Sequence, residues 1–202
     1  MSRSLPYARY EALKVLAADL IEDFGLVYPL QPLEIADRLG VRVRTHGRGL
    51  PAIARLCNTD DGYTETAESP HGLKFEIHVD GAKPPMRQRF TIMHEISHVW
   101  LDHLLLKRPI TPDRAEAEAN FTASYLLAPD VLVNAWVPDL AIASIATVFQ
   151  LSDEAARLAY GRVVRANSRN ALGAPHDERI LASAMRLVES PLTTDDDLKG
   201  SA

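Results

Sequence analysis

Two histidines and one glutamate close together in the chain have the types and the spacing of a metal site. They lie in the segment RFTIMHEISHVWLDHL, where His94 and His98 are four residues apart and Glu95 lies between them. On an α-helix, residues four apart share one face, so both imidazoles can bind one ion. Glu95 can then take a proton from a water molecule at that ion without binding the ion itself. The five residues alone also fit a buried helix whose histidines are satisfied by hydrogen bonds.

A third ligand is needed, because a catalytic zinc ion takes three protein ligands and one water molecule. The segment AEAEANFTASYLLAP follows after a proline-marked turn and carries Glu116 and Glu118. Two helices joined so closely pack against each other and present facing side chains. Ala119 and Asn120 belong to the small or apolar face of the second helix, and Glu116 lies one turn before them. We therefore predict Glu116 as the third ligand and Glu118, about 200° around the helix, as a solvated charge.

Other polar residues near this pattern have weaker predicted roles. Asn120, one turn after Glu116, is a candidate to hydrogen-bond a ligand histidine and fix its tautomer. Asp102, one turn after His98, is a second candidate to orient a histidine, whereas His103 falls off the ligand face and is predicted to be a surface residue. No residue stands out as the group that stabilises an oxyanion. The candidates, each of which also fits a structural role, are Tyr63, His71, His78 and Tyr125.

Two blocks of the sequence resemble the ImmA/IrrE family of zinc metallopeptidases. RQRFTIMHEISH, residues 87–98, is similar to the family's Arg-Phe-Thr-x-x-His-Glu-x-x-His block. EAEANFTASYLLAP, residues 116–129, resembles the family's helix that begins with glutamate and contains Ala-Asn. The similarity extends more weakly over residues 10–165. Ala128 stands where the family usually has methionine, a change expected to affect packing alone.

The resemblance implies a function and a set of roles. Family members act on few targets, often a helix-turn-helix repressor whose cleavage releases stress-response or mobile-element genes. The implied substrate is therefore a regulatory protein, and the implied reaction is peptide hydrolysis by a zinc-bound water that Glu95 activates. The implied ligands of the Zn²⁺ cofactor are His94, His98 and Glu116.

The elements that must position these residues are predicted from hydrophobic periodicity, proline and glycine. Residues 87–106 form the clearest helix, and Thr111-Pro112-Asp113 begins the next one. The strand KFEIHVD can pair with an extended substrate segment if it lies at a sheet edge, and an internal strand fits equally well. The other predicted elements are helices at 5–23, 33–40, 139–165 (a pair, capped at Ser152 or Asp153) and 175–189, and strands at 41–45 and between 50 and 80.

This order of elements predicts an α+β fold, with a small mixed or antiparallel sheet packed on a zincin-like helical core. We predict a zinc metallopeptidase domain over residues 1–135 and a helix-turn-helix-like helical subdomain over 136–190 that packs on it. SPLTTDDDLKGSA is acidic and polar, which predicts a disordered tail over 191–202. The helix-turn-helix-like segment IASIATVFQLSDEAARLAYGRVVR and its surroundings carry four arginines, at positions 157, 162, 165 and 169.

Composition and charge restrict the function classes. With 47% hydrophobic and 24% charged residues, the 202-residue chain can bury one substantial core. Its net charge of -5 argues against DNA contact and against a membrane surface, despite the arginines. The lone Cys57 cannot form an internal disulfide, and the first residues lack the apolar core of a signal peptide, so we expect a cytoplasmic protein. No apolar run reaches the roughly 18 residues of a membrane span.

Two other functions remain compatible with the sequence. The first is a non-catalytic, zinc-containing regulator that binds a repressor or DNA. The second is a metal-free helical interaction module. Turnover separates the first from an enzyme, because both bind metal but only the enzyme produces cleavage fragments. Metal analysis identifies the second, because a metal-free module contains no zinc and keeps its function when His94 is replaced by alanine.

Overall fold

The computed structural model describes residues 5–47, 49–51, 61–70, 72–105 and 110–189. Cys57, His71 and the predicted tail over residues 191–202 lie outside the described residues. Within these ranges the helices are α1 (Tyr7–Asp23), α2 (Pro32–Arg38), α3 (Pro85–Trp100), α4 (Pro112–Leu127), α5 (Asp130–Trp136), α6 (Ile142–Phe149), α7 (Asp153–Ser168) and α8 (Pro175–Glu189). The strands are β1 (Arg42–His46), β2 (Gly62–Ser69) and β3 (Gly72–Asp80). The predicted α+β class is confirmed.

The three strands form a mixed sheet in the order β1-β3-β2. β1 runs parallel to β3, with Val43 opposite Ile77, and β2 runs antiparallel to β3, with Thr64 opposite Ile77. β3 contains the segment KFEIHVD, so this segment is the central strand rather than an edge strand. Ile77 and Val79 are buried, as the alternation of apolar and polar residues predicts. Among the described strands, the edge that faces away from β1 belongs to β2.

A glycine and an ion pair hold β2 close to α3. A Cβ atom at Gly62 would lie 2.5 Å from Thr91 Cγ2 and 2.8 Å from the His78 carbonyl oxygen, so only glycine allows this approach. Arg87, in the first turn of α3, donates its Nε hydrogen to Asp61 Oδ2 at 3.0 Å. These contacts bring the first residues of β2 beside the helix that carries the two histidines.

One apolar core joins the helices on both sides of the predicted domain boundary. Its members include Met93 of α3, Leu126 of α4 and Phe149 of α6. α1 packs against α4 and α8, and α5 packs against α7 and α8. The division into a domain over residues 1–135 and a subdomain over 136–190 stays a prediction, and the two parts share this core.

α3 ends at Trp100, several residues earlier than predicted. Asp102 takes a left-handed φ of 58°, a conformation that aspartate tolerates better than most residues. The His103 amide then donates to the His98 carbonyl oxygen at 3.0 Å, and the Asp102 amide donates to the Val99 carbonyl oxygen at 3.1 Å. This pair of hydrogen bonds forms a Schellman motif. The motif folds His103 back beside the last turn of α3.

The C-terminal helices follow the prediction with one addition. α5 was not predicted, because its seven residues cover only two turns and show no clear hydrophobic period. α6 and α7 are the predicted pair. The Ser152 hydroxyl accepts a hydrogen bond from the Ala155 amide at 3.2 Å, so Ser152, rather than Asp153, caps α7.

Candidate metal centre

The two histidines of α3 and one glutamate of α4 bring their donor atoms together. His94 Nε2 and His98 Nε2 are 3.0 Å apart. Glu116 Oε2 lies 3.3 Å from His94 Nε2, and Glu116 Oε1 lies 3.3 Å from His98 Nε2. The three residues form a group whose donor atoms all lie within 4.8 Å of one another. α3 packs directly against α4, as the short turn between them predicts.

The spacing of these donors fits a zinc ion. Bonds of about 2.0–2.1 Å at a tetrahedral angle place neighbouring ligand atoms about 3.3 Å apart, which is close to the three separations in this group. Imidazole nitrogens and carboxylate oxygens are also ligand types that zinc accepts. The close contacts with His94 and then with His98 lower the pKa of the Glu116 carboxyl. Glu116 is therefore ionised at neutral pH, which is the form that binds a cation.

The three ligand candidates line a cleft of about 660 Å³, together with other residues of β2, α3 and α4. His94 and His98 have 13% and 10% of their side chains exposed, whereas Glu116 is 58% exposed. Glu95 is buried in the wall of the same cleft. The Thr64 hydroxyl on β2 donates to Glu95 Oε2 at 2.6 Å. Such a hydrogen bond to a charged acceptor fixes the Glu95 carboxylate in one position beside the donor group.

Glu118 is completely buried, so the prediction of a solvated charge is wrong. Its Oε1 accepts hydrogen bonds from Arg9 Nε at 2.8 Å and from Arg114 Nε at 2.8 Å. His103 Nε2 lies 3.4 Å from Glu118 Oε2. Glu118 does face away from Glu116, but α1 packs against α4 there. Burial by itself would raise the pKa of the Glu118 carboxyl, and the hydrogen bonds from the two arginines lower it to about 2.

We expect Glu118 to make the zinc-free protein sensitive to acid. The pKa of this carboxyl is about 2 in the folded protein and below its ordinary value of 4.5, so folding favours the charged form. The resulting stabilisation, up to about 3 kcal/mol, is complete above pH 4.5 and is lost as the pH falls towards 2. The free energy of unfolding, measured with urea across this pH range, should therefore fall less steeply with decreasing pH for Glu118→Gln than for the wild type.

The control for this prediction is the same substitution at Glu68, an exposed residue of β2. Glu68→Gln should follow the wild-type loss of stability at every pH. If Glu118→Gln also followed the wild-type curve, the arginine pairs would not be the source of the acid sensitivity.

The side chain of His103 is only 4% exposed, so the prediction of a surface residue is wrong. His103 Nδ1 lies 3.1 Å from His98 Nδ1. Burial, together with the nearby His98, lowers the pKa of His103. Asp102, which was predicted to orient a histidine, is exposed instead. The reason is the left-handed turn at Asp102, which directs the next residue inwards.

Asn120 does not take the predicted role of fixing a histidine tautomer. It is exposed and lines the cleft. His94 Nδ1 is buried and has no hydrogen-bond partner among the described residues, so Asn120 does not reach it. His98 Nδ1 lies next to His103 instead.

The candidates for the group that stabilises an oxyanion lie in different parts of the structure. Tyr63 lines the cleft, and its ring stacks on the ring of His78 with 4.7 Å between the centroids. Tyr125 is completely buried, and its hydroxyl donates to Asp177 Oδ1 at 3.3 Å. Among the candidates that the structure describes, only Tyr63 lines the cleft.

The helix-turn-helix-like segment corresponds to α6 and α7. Arg162 of α7 donates its Nε hydrogen to Asp130 Oδ1 at 2.9 Å and an Nη2 hydrogen to the Ala128 carbonyl oxygen at 2.7 Å. This arginine therefore fastens α7 to the connection between α4 and α5. The absence of DNA contact stays a prediction.

The helix pair brings together a donor group that could hold a metal ion, with a buried carboxylate in the wall of the same cleft. The chain belongs to the Peptidase_M78 family, the IrrE N-terminal-like domain, whose model matches residues 36–159. This match runs from α2 into α7 and confirms the resemblance found in the sequence. Curated proteins give no match to this chain. Within the described residues, none of the helices has both the length and the apolar character needed to cross a bilayer.

Proposed function

We propose that the protein is a zinc-dependent endopeptidase that cleaves a regulatory protein, with a helix-turn-helix repressor as its substrate. The observation that carries the zinc-dependent activity is the convergence of the His94, His98 and Glu116 donors in one cleft with the buried carboxylate of Glu95. The repressor as substrate rests on the resemblance to the ImmA/IrrE family.

Four residues of the cleft have a role in the proposed reaction. His94, His98 and Glu116 would hold the zinc ion, which when bound supplies Lewis-acid activation of a water molecule and of the scissile carbonyl. Glu95 accepts a proton from the water as its oxygen attacks the carbonyl carbon. Glu95 then gives this proton to the leaving nitrogen as the carbon–nitrogen bond breaks. One carboxylate thus acts first as a base and then as an acid.

The strand KFEIHVD was the sequence candidate to pair with an extended substrate segment, but it lies in β3, which pairs with β1 on one side and with β2 on the other. Gly62, Tyr63 and Thr64 of β2 line the cleft instead, and we propose that they form one wall of the substrate site.

A second cavity, of about 350 Å³, adjoins the cleft and shares Phe90 and Asn120 with it. Its walls include the apolar side chains of Phe121, Leu127 and Leu158. We propose that it receives a large apolar side chain of the substrate close to the scissile bond, because burial of such a side chain is favourable.

Thr64→Val should slow cleavage without removing zinc. Valine has nearly the shape of threonine but cannot donate the hydrogen bond to Glu95. A hydrogen bond to a charged group contributes about 1.5–3 kcal/mol, so kcat should fall at least about tenfold. Thr64→Ser keeps a hydroxyl and should recover most of the rate. An unchanged kcat for Thr64→Val at full zinc content would show that Thr64 does not position the base.

The proposed function is tested by incubating the zinc-loaded protein with any helix-turn-helix repressor found encoded beside its gene, and with a peptide library. We expect discrete fragments of one repressor, which mass spectrometry can identify, and no fragments after zinc is removed by a chelator. Stoichiometric zinc with no cleavage of any repressor or of a peptide library would instead favour the non-catalytic regulator.

A further inference from the structure

We propose that His103 and Glu118 form a positioning chain that fixes the tautomer and the orientation of His98. This chain, hereafter the His98–His103–Glu118 chain, rests on the proposed function in that His98 is taken as a zinc ligand. Neither His103 nor Glu118 was predicted from the sequence to contribute to the site.

The contacts of His98 assign a different role to each of its two nitrogens. Its Nε2 faces the donor group, 3.0 Å from His94 Nε2 and 3.3 Å from Glu116 Oε1. Its Nδ1 points the other way and lies 3.1 Å from His103 Nδ1. His103 Nε2 in turn lies 3.4 Å from Glu118 Oε2. The three side chains therefore lead from the donor group to a buried carboxylate.

The direction of each hydrogen bond follows from the carboxylate. An ionised carboxylate can only accept, so His103 Nε2 must carry the hydrogen that it donates to Glu118. A neutral His103 then has a lone pair on Nδ1, which accepts a hydrogen from Nδ1 of His98. His98 is thereby left with its lone pair on Nε2, the nitrogen that faces His94 and Glu116. The chain thus selects the tautomer of His98 that can bind a metal ion.

Two structural features hold the side chains of the His98–His103–Glu118 chain in place. The first is the Schellman motif at the end of α3, which folds His103 back beside His98. The second is the clamp on Glu118 by Arg9 of α1 and Arg114 of α4, each with an Nε–Oε1 distance of 2.8 Å. Because Glu118 is completely buried, the arginines also keep it ionised.

His94 provides an internal comparison. Its Nδ1 is buried and has no hydrogen-bond partner among the described residues, so no corresponding chain selects its tautomer. The two histidines of the donor group therefore differ in how firmly each is oriented. A defect caused by substitution of His103 should consequently affect zinc binding at His98 and leave the contacts of His94 unchanged.

The His98–His103–Glu118 chain is tested by the zinc affinity of the full-length protein. This affinity is measured by competition with a chromophoric chelator. His103→Phe keeps a ring of similar size but removes both hydrogen bonds, and we expect the dissociation constant to rise about 10- to 100-fold. His103→Gln keeps an acceptor and a donor and should recover most of the affinity. Circular dichroism and thermal unfolding of the zinc-free proteins would show whether each variant folds. A folded His103→Phe protein with wild-type affinity would overturn the proposal.

A second measurement uses only the wild-type protein and does not depend on the folding of a variant. Imidazole ¹⁵N–¹H correlation spectra of the zinc-loaded protein should show hydrogen on Nδ1 of His98 and on Nε2 of His103. Hydrogen on Nδ1 of His103 would overturn the chain while leaving the zinc site intact. A wild-type protein that binds no zinc would overturn the proposed function itself, and the chain with it.

Discussion

Glu95→Gln is expected to abolish cleavage of the substrate while leaving zinc binding unchanged. Glutamine keeps the size of the side chain and an oxygen that can accept the Thr64 hydrogen bond, so the cleft should keep its shape. It cannot take a proton from water at neutral pH. General acid–base groups contribute about 10²- to 10⁴-fold to enzymatic rates, and we expect kcat to fall by about 10³-fold. Zinc content by elemental analysis and kcat on one substrate measure the two effects separately.

Glu68→Gln is the matched control for this prediction. Glu68 lies on β2, the strand that also carries Thr64, but its side chain is exposed and it does not line the cleft. Its substitution removes the same charge and should change neither kcat nor zinc content. Retention of more than a tenth of the wild-type kcat by Glu95→Gln would mean that another group accepts the proton.

Glu116→Ala is expected to remove most of the zinc affinity. Glu116 supplies the only carboxylate oxygens of the donor group, and its loss leaves two imidazoles where a catalytic zinc ion takes three protein ligands. Loss of a residue that merely supports a ligand costs about 10- to 100-fold in affinity, so loss of the ligand itself should cost at least about 100-fold. Because the Glu116 side chain is 58% exposed, the zinc-free protein should keep its thermal stability.

Asp113→Asn serves as the control for Glu116→Ala. Asp113 lies one turn earlier on α4, is exposed and lines the same cleft, but it does not belong to the donor group. Its substitution tests whether any acidic residue of the cleft attracts zinc simply by its charge. Equal zinc affinities for the two variants would contradict the assignment of Glu116 as a ligand.

The sequence was sufficient to predict the elements that carry the donor group. His94 and His98 share a helix face by their spacing, and a proline marks the start of the helix that carries Glu116. These are local relations, which depend on helical geometry and on one short turn. The fold class could be predicted in the same way, because hydrophobic residues repeat with a different period in strands and in helices.

The parts of the site that depend on long-range packing were not predicted. Glu118 seemed to face solvent because nothing in the sequence shows that α1 covers that side of α4. Thr64 could not be linked to Glu95, because their contact depends on how closely β2 approaches α3. His103 was assigned to the surface because a continuous helix to residue 106 was assumed. A left-handed residue at position 102 is a small departure from helix geometry, and aspartate there is a weak sequence signal.

The pairing of Arg9 with Glu118 has a consequence for the design of truncated forms of this protein. α1 lies wholly before residue 36, where the family match begins. It also receives the Trp100 indole hydrogen bond at the Leu16 carbonyl oxygen and the Arg179 ion pair at Asp19. A gene product shortened to the family boundary would lose one of the two arginines that pair with Glu118 and would expose the side of α4 that α1 covers. α1 should therefore be retained in any shortened form of the protein that is expressed for study.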